Sequence, residues 1–123
     1  MIQAVIPGYG TMNLEVLVLD YNGTLALDGQ MFKSVKVKVL ESTEHVKEKA
    51  DYVLQFGTRE VVAIGNGAND QFMLQHARLG IAVIGFEGAS TQALLSADLI
   101  VHKIEDAFGL LLETQRLKAT LRL

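Results

Sequence analysis

Residues 16–25 have the sequence VLVLDYNGTL, in which an aliphatic run ends at Asp20 and is followed by a glycine turn. An uninterrupted aliphatic run is typical of a strand buried on both faces of a parallel sheet, because a half-exposed strand alternates apolar and polar residues. Asp20 would then lie at the carboxyl end of the strand, where open α/β sheets bind their ligands. By itself, such an aspartate is better explained as a helix or turn cap.

A second stretch repeats the pattern and changes that interpretation. Residues 61–64 form another short apolar run, and residues 65–70 follow with the sequence GNGAND before a helical pattern begins. If the two strands are neighbours in one parallel sheet, their carboxyl ends meet at the same edge. The two turns together could therefore hold a divalent cation and a phosphate group.

Residues 20–25 and 65–70, followed by the strand-like residues 80–83, resemble the first and fourth motifs of the haloacid dehalogenase-like (HAD) phosphohydrolase superfamily. The chain is most similar to the small branch that is related to the phosphorylation domain of P-type ATPases but has no membrane part. The resemblance implies an α/β fold, namely a shortened Rossmann-like three-layer sandwich with a mainly parallel sheet and an N-terminal β-hairpin. Residues 1–123 would form a single HAD-like core domain without a cap domain.

The chemistry that this resemblance implies is phosphoryl transfer to a carboxylate. Asp20 would attack phosphorus and form an aspartyl phosphate, which water then hydrolyses. Mg²⁺ would bridge Asp20 and the phosphoryl group, aided by the backbone carbonyl of Asn22 and by Asp70, with Asn66 at a further metal position. The substrate would be a small phosphorylated molecule.

Phosphate binding would fall first to Gly23 and Thr24, through a close backbone approach, a hydroxyl and an amide. The relatives add a Ser or Thr hydroxyl at the end of a second core strand, carried by a helix–strand–helix unit. We expect this unit to be missing, because a parallel crossover needs a dozen or more residues and residues 21–34 lack helical periodicity. The hydroxyl would then be absent unless Ser42 or Thr43 replaces it, and a helix N-cap is the favoured alternative for both.

The third motif of the family is a lysine on a helix, where it contacts the phosphoryl oxygens and the nucleophile. Residues 44–55 show the apolar spacing of one helical face and carry Lys47 and Lys49 near their start. Lys49 matches the motif best and Lys47 is the alternative. A solvated surface charge is the competing explanation for either lysine.

Two positions depart from the family pattern. Phosphatases of the superfamily usually have a general acid and base two residues after the nucleophile, whereas this chain has Asn22, whose amide exchanges no proton at neutral pH. The loss of such a group lowers a rate by ~10²- to 10⁴-fold. Asn66 replaces an aspartate that ligates the metal in many relatives. We therefore expect a slow phosphohydrolase, or alternatively a catalytically impaired or truncated HAD-fold protein that serves as a binding or regulatory module.

Composition limits the possible partners. The net charge is −3 and no basic stripe is present, which argues against a nucleic-acid partner. No apolar run approaches the ~20 residues that cross a bilayer, so no membrane partner is expected. The absence of cysteine fits a reducing compartment, and we expect a cytoplasmic protein. A missing central strand would leave an uncovered sheet edge, which predicts a homo-oligomer.

Local patterns predict the remaining elements. Residues 1–15 read as a strand that returns as a hairpin or leads into the next strand, and the hairpin would cover a sheet edge. The alternation in residues 35–40 predicts a half-exposed edge strand with both lysines on one face. We further predict strands at 81–84 and 99–101, helices at 44–55, 70–78, 91–96 and 104–112, and a strand or a helix at 114–123. The helix at 70–78 would be capped by Asn69 and would end at Gly80, with Phe72, Met73 and Ala77 facing inward.

Overall fold

A computed structural model of the chain describes residues 1–20, 32–40 and 46–123. Its strands are β1 (Ile2–Ile6), β2 (Gly10–Leu14), β3 (Val16–Leu19), β4 (Lys36–Val39), β5 (Val61–Gly65), β6 (Leu79–Val83) and β7 (Leu99–Val101). Its helices are α1 (Val46–Phe56), α2 (Gln71–His76), α3 (Thr91–Ser96), α4 (Ile104–Leu112) and α5 (Thr114–Leu121). None of these helices is long and apolar enough to cross a membrane.

Within the described residues, the main sheet has five strands in the order β4-β3-β5-β6-β7, and every neighbouring pair is parallel. The two strands that precede the motifs, β3 and β5, lie side by side and are buried along their whole length. This is the pairing that the two aliphatic runs predict, because a strand covered on both faces has no polar side to present. The predicted α/β class with a mainly parallel sheet is confirmed.

Helices and the hairpin cover the two faces of the sheet. Successive side chains of a strand point to opposite faces, so Leu17 and Leu19 belong to one core cluster while Val16 and Val18 belong to the other. The first cluster also contains buried residues of β1, β2, α4 and α5, and the second contains those of α1, α2 and α3. The result is the predicted three-layer arrangement.

The N-terminal segment forms the predicted hairpin, because β1 pairs antiparallel with β2 from Ile2 opposite Leu14 to Ile6 opposite Gly10. The expectation that it covers a sheet edge is wrong. The hairpin forms its own two-stranded sheet, and the buried side chains of Ile2, Ile6, Met12 and Leu14 join the core on one face of the main sheet. Its alternating pattern leaves one side apolar, and that side packs against the core.

Strand β4 corrects the expectation of a missing second core strand. It pairs in parallel with β3, from Lys36 opposite Val16 to Val39 opposite Leu19, and thus lies on the side of β3 away from β5. Most of the crossover that leads to it, residues 21–31, is outside the described residues. The strand itself is present, so a missing strand is no longer a reason to expect a homo-oligomer, and the oligomeric state stays a prediction.

Among the described strands β4 is an edge strand with its lysines on one face, as predicted, but the prediction of a half-exposed strand is wrong, because Val37 and Val39 on the opposite face are 36% and 45% exposed. The ammonium groups of Lys36 and Lys38 lie 4.6 and 4.9 Å from the ring centroids of Phe56 and Tyr52 on α1. At these distances a lysine is attracted by the negative face of the ring. The lysines therefore help to hold α1, which carries Lys49, against this part of the sheet.

The segment after the second motif differs from its prediction in three details. A 3₁₀ turn over Ala68–Asp70 precedes α2, and the N-cap residue of α2 is Asp70, so the capping role predicted for Asn69 is wrong. On α2, Met73 is buried as predicted, whereas Phe72, which was predicted to face inward, is 44% exposed. Gly80 lies within β6 rather than at the helix end. A Cβ at Gly80 would lie 2.4 Å from the Leu74 carbonyl oxygen.

The remaining predictions at the C-terminal side are confirmed, since α3, β7 and α4 span the predicted residues. The open alternative for the tail is resolved in favour of a helix, α5. Its buried Leu117 and Leu121 belong to the same core cluster as the hairpin. The tail is therefore part of the layer that covers one face of the sheet.

Candidate functional site

The carboxyl ends of β3 and β5 place Asp20 and Asp70 next to a lysine of α1. The Asp20 amide donates to the carbonyl of Ile64 at 2.9 Å, which extends the pairing of the two strands by one residue. The ammonium of Lys49 donates a hydrogen bond to Asp20 Oδ2 and another, 3.0 Å long, to Asp70 Oδ1. One cation thus connects the aspartate of residues 20–25 with that of residues 65–70.

The three charges are almost completely removed from solvent. Lys49 is 1%, Asp70 0% and Asp20 8% exposed. An ammonium or carboxylate at such depth is stable only when it is paired and hydrogen-bonded. A buried lysine in the middle of an amphipathic helix is therefore not the solvated charge that composition alone would suggest.

Burial and pairing act in opposite directions on these groups. Burial alone would lower the pKa of Lys49, but its hydrogen bonds and attraction to Asp20 and Asp70 outweigh this effect and raise the pKa. For Asp70, burial and the neighbouring Asp20 raise the pKa from 3.8 to about 7, against the opposing effects of the Gly67 amide and Lys49. The site therefore holds more negative charge than one lysine neutralises.

The turn after β5 is shaped around the Asp70 carboxylate. Asp70 Oδ2 accepts hydrogen bonds from the backbone amides of Asn66, at 3.0 Å, and Gly67, at 2.9 Å. A Cβ on Gly65 would lie 2.6 Å from the same oxygen, so a larger residue would displace the carboxylate. The glycines of the GNGAND stretch thus hold Asp70 in place, with Oδ1 directed to Lys49.

Asn66 connects this turn to the loop that follows β6. Its side-chain nitrogen donates to the Gly88 carbonyl at 3.1 Å, and its own carbonyl accepts from the Ser90 amide at 2.8 Å. Ser90 also caps α3 by accepting from the Ala93 amide at 3.0 Å. The loop is thereby fixed beside the two aspartates, and the metal-binding role of Asn66 stays a prediction.

These elements surround an open cavity of about 450 Å³, a size that suits a small molecule. The described residues that line it are Asp20, Lys49, Asn66, Gly67, Asn69, Glu87, Gly88, Ala89 and Ser90. The wall formed by residues 87–90 was not predicted from the sequence. Its one sequence signal is its place directly after a buried strand, at the sheet edge where the other loops of the site lie.

The structure describes only part of the predicted site. It brings together four of the predicted residues: Asp20, Lys49, Asn66 and Asp70. Five others lie outside the described residues: Asn22, Gly23, Thr24, Ser42 and Thr43. Lys47, the alternative to Lys49, is exposed on α1 and does not line the cavity.

Sequence comparisons relate the chain to hydrolases and to one ATPase. Residues 52–110 match the family model of the haloacid dehalogenase-like hydrolases. An uncharacterized protein of Methanocaldococcus jannaschii is 41% identical over 98 residues, which cover 80% of this chain and 99% of that protein. The phospholipid-transporting ATPase NEO1 of Saccharomyces cerevisiae is 31% identical over 105 residues, which cover 72% of this chain but 9% of the ATPase.

Solved structures share the fold at low sequence identity. The 3-deoxy-D-manno-octulosonate 8-phosphate phosphatase of Moraxella catarrhalis, solved with magnesium, phosphate and KDO, aligns with a TM-score of 0.61 at 14% identity, over 86% of this chain and 90% of its own. A Legionella pneumophila protein described as a HAD superfamily hydrolase of subfamily III A aligns with a TM-score of 0.61 at 15% identity, over 88% of this chain and 87% of its own.

Proposed function

Because the chain belongs to the haloacid dehalogenase-like hydrolase superfamily, we propose that it is a Mg²⁺-dependent phosphohydrolase that acts on a small phosphorylated molecule through Asp20. One observation carries the proposal: Asp20 ends a buried central strand and faces a cavity, where it is paired with a buried lysine beside a second buried aspartate. A purely structural ion pair would have no need of a cavity.

The donor set fits Mg²⁺. Among the described residues, no three His, Cys, Asp or Glu side chains are grouped to hold a metal ion by themselves. Mg²⁺ is commonly bound by one or two carboxylates together with substrate phosphate oxygens, and Asp20 and Asp70 supply two carboxylates with a surplus of negative charge. We assign them as ligands, with the Asn22 carbonyl and Asn66 as further candidates. When bound, the ion would offset the charge of the phosphoryl group.

In the proposed reaction, a carboxylate oxygen of Asp20 attacks phosphorus, and the bond between phosphorus and the leaving-group oxygen breaks. Lys49 neutralises the phosphoryl oxygens and holds the Asp20 carboxylate by a hydrogen bond. Gly23 and Thr24 would bind other phosphate oxygens, with Ser42 or Thr43 in the place of the second-motif hydroxyl. Water then attacks the phosphorus of the aspartyl phosphate, which releases phosphate and restores Asp20.

The leaving group has no matched general acid in this chain. Since the amide of Asn22 cannot donate a proton at neutral pH, the departing oxygen would take its proton from solvent. Good leaving groups, such as a nitrophenolate, need little protonation, whereas alkoxides need a full proton. We therefore expect measurable turnover of aryl phosphates and much slower turnover of alkyl phosphates.

Hydrolysis of 4-nitrophenyl phosphate, measured with Mg²⁺ and with EDTA, tests this proposal. We expect turnover that requires Mg²⁺ and is abolished by Asp20→Asn. Asp51→Asn is a matched control, because Asp51 is exposed on α1 and does not line the cavity. Turnover that survives Asp20→Asn, or that is absent from the native chain, would contradict the proposal.

A second candidate function is a module that binds a phosphorylated ligand without turnover. It is favoured by Asn66, whose side chain holds the Gly88 carbonyl where many relatives have a metal-binding aspartate. The missing acid at Asn22 agrees with it. A native chain that does not hydrolyse 4-nitrophenyl phosphate but is stabilised against heat by Mg²⁺ and phosphate together would support this function over the first.

A further inference from the structure

The described wall of the cavity is poor in cations. Among the described residues that line the cavity, Lys49 is the one lysine or arginine, and it is already engaged by two aspartates. Residues 21–31 and 41–45, which follow β3 and β4 in the chain, contain no lysine or arginine and three acidic residues. Neither of these two stretches therefore supplies a further lysine or arginine.

The cavity wall also contains a carboxylate, whose negative charge would repel an anionic group. Glu87 is exposed on the loop after β6 and lines the same cavity as Asp20 and Lys49. The contacts of Asn66 with Gly88 and Ser90 fix the loop on both sides of Ala89. Glu87 directly precedes this anchored stretch, so its carboxylate stays near the cavity.

We propose that the site selects phosphomonoesters whose leaving group is neutral or carries an ammonium, and that Glu87 determines this preference. The inference rests on the proposed function, because it assumes that the phosphoryl group lies at Asp20 and Lys49. The phosphoryl group then uses the positive charge of Lys49. Glu87 would repel a second anionic group on the substrate, and no further lysine or arginine of the described wall would offset this repulsion. An ammonium or hydroxyl group could instead pair with the Glu87 carboxylate.

The expected preference is about tenfold. A charge pair near a protein surface contributes modestly, but a change from ammonium to carboxylate replaces an attraction by a repulsion and so counts twice. Because Glu87 is exposed, dissolved salt screens the interaction, and the preference should shrink as the ionic strength rises toward 1 M. A preference that comes from shape alone would not respond to salt.

Binding of non-hydrolysable phosphonates tests the inference without relying on turnover. The native chain with Mg²⁺ is titrated calorimetrically with 2-aminoethylphosphonate, 2-hydroxyethylphosphonate and 2-carboxyethylphosphonate, which differ mainly in one terminal group. We expect the aminoethyl compound to bind about tenfold more tightly than the carboxyethyl compound, with the hydroxyethyl compound between them. Equal affinities, a reversed order, or no binding of any of the three would overturn the inference.

Variants then assign the preference to Glu87. Glu87→Gln should reduce the ratio of the two affinities to about threefold or less, and Glu87→Lys should reverse it. Glu60→Gln is the matched control, since Glu60 is an exposed glutamate that precedes β5 at the opposite end of the sheet. A ratio that Glu87→Lys leaves unchanged, or that Glu60→Gln alters equally, would show that Glu87 is not the determinant.

The charge preference and the catalytic activity are tested by separate experiments, so either proposal can fail alone. Hydrolysis of 4-nitrophenyl phosphate reports on catalysis by Asp20, whereas the phosphonates report on binding alone. A chain that hydrolyses the aryl phosphate but shows no charge preference would refute only the inference. A chain that prefers the aminoethyl compound but turns nothing over would refute only the catalytic proposal.

Discussion

Replacement of Lys49 by methionine should destabilise the metal-free protein strongly and in a pH-dependent manner. Methionine is similar in length but leaves Asp20 and Asp70 as two buried carboxylates without a cation. Removal of one partner from a buried ion pair costs ~3–5 kcal/mol, because an uncompensated charge remains. The loss is limited at low pH, where a proton on Asp70 can replace the missing ammonium charge.

The sign of the pH effect follows from Asp70. Its pKa in the folded chain, about 7, lies above its ordinary value of 3.8, so the folded state binds the proton more tightly than the unfolded state. The contribution of Asp70 to the free energy of unfolding is therefore highest at low pH, below its ordinary pKa, and falls as the pH rises toward 7. The fall is on the order of 4 kcal/mol, or ~1.4 kcal/mol for each pH unit. Above pH 7 this contribution is flat.

In Lys49→Met, the attraction that lowers the pKa of Asp70 is lost, and the pKa rises further above 7. The free energy of unfolding should then continue to fall between pH 7 and pH 9, by up to ~1.4 kcal/mol for each unit. Urea unfolding in EDTA at pH 5, 7, 8 and 9 measures this slope. Far-UV circular dichroism is the suitable signal, because the chain has no tryptophan.

The control is Lys47→Met, which removes the same charge from the same helix. Lys47 is exposed, and its replacement should change the free energy of unfolding by less than ~0.5 kcal/mol at every pH. The reasoning is refuted if Lys49→Met unfolds with the stability of Lys47→Met, or if its stability does not change between pH 7 and pH 9.

Three further predictions concern the same turns and loops. Asn22→Asp restores a general acid and base, so turnover of an alkyl phosphate should rise by ~10²-fold or more, whereas Asn22→Ala should bring no gain. The affinity for Mg²⁺ should rise by at most ~10-fold per pH unit up to about pH 7, because binding must displace the proton of Asp70. Calorimetry in buffers of different ionisation enthalpy measures the released proton. Gly65→Ala should lower the free energy of unfolding by ~1–3 kcal/mol in urea, since its Cβ would lie 2.6 Å from Asp70 Oδ2, which two backbone amides hold in place, and an unchanged midpoint would show that the turn can relax.

The central strands and the site at their ends were predictable from local sequence. The aliphatic run before Asp20 and the run before Gly65 each specify a strand buried on both faces, and such strands pair in parallel. Their carboxyl ends must then meet, which brings Asp20 and Asp70 together. The periodicity of residues 44–55 further placed a lysine on a helix, although it could not show that Lys49 is buried.

The errors arose where a local pattern does not determine tertiary position. The alternation in β4 correctly predicts an edge strand, but it does not say which strand is the neighbour, so the parallel pairing with β3 was missed. Phe72 was assigned inward from apolar character, but α2 is short and buries Met73 and Leu74 instead. The loop with Glu87 carries no motif, and only the position of β6 in the sheet makes it part of the cavity.

A direct search for a phosphoryl group on Asp20 is the most decisive measurement. The chain is incubated with Mg²⁺ and 4-nitrophenyl phosphate, quenched in acid and reduced with borohydride, which converts an aspartyl phosphate to homoserine, and the peptides are analysed by mass spectrometry. We predict homoserine at position 20, and none at Asp70 or in a sample without Mg²⁺. An unmodified Asp20 in a chain that hydrolyses the substrate, or homoserine at another aspartate, would contradict the assignment of Asp20 as the nucleophile.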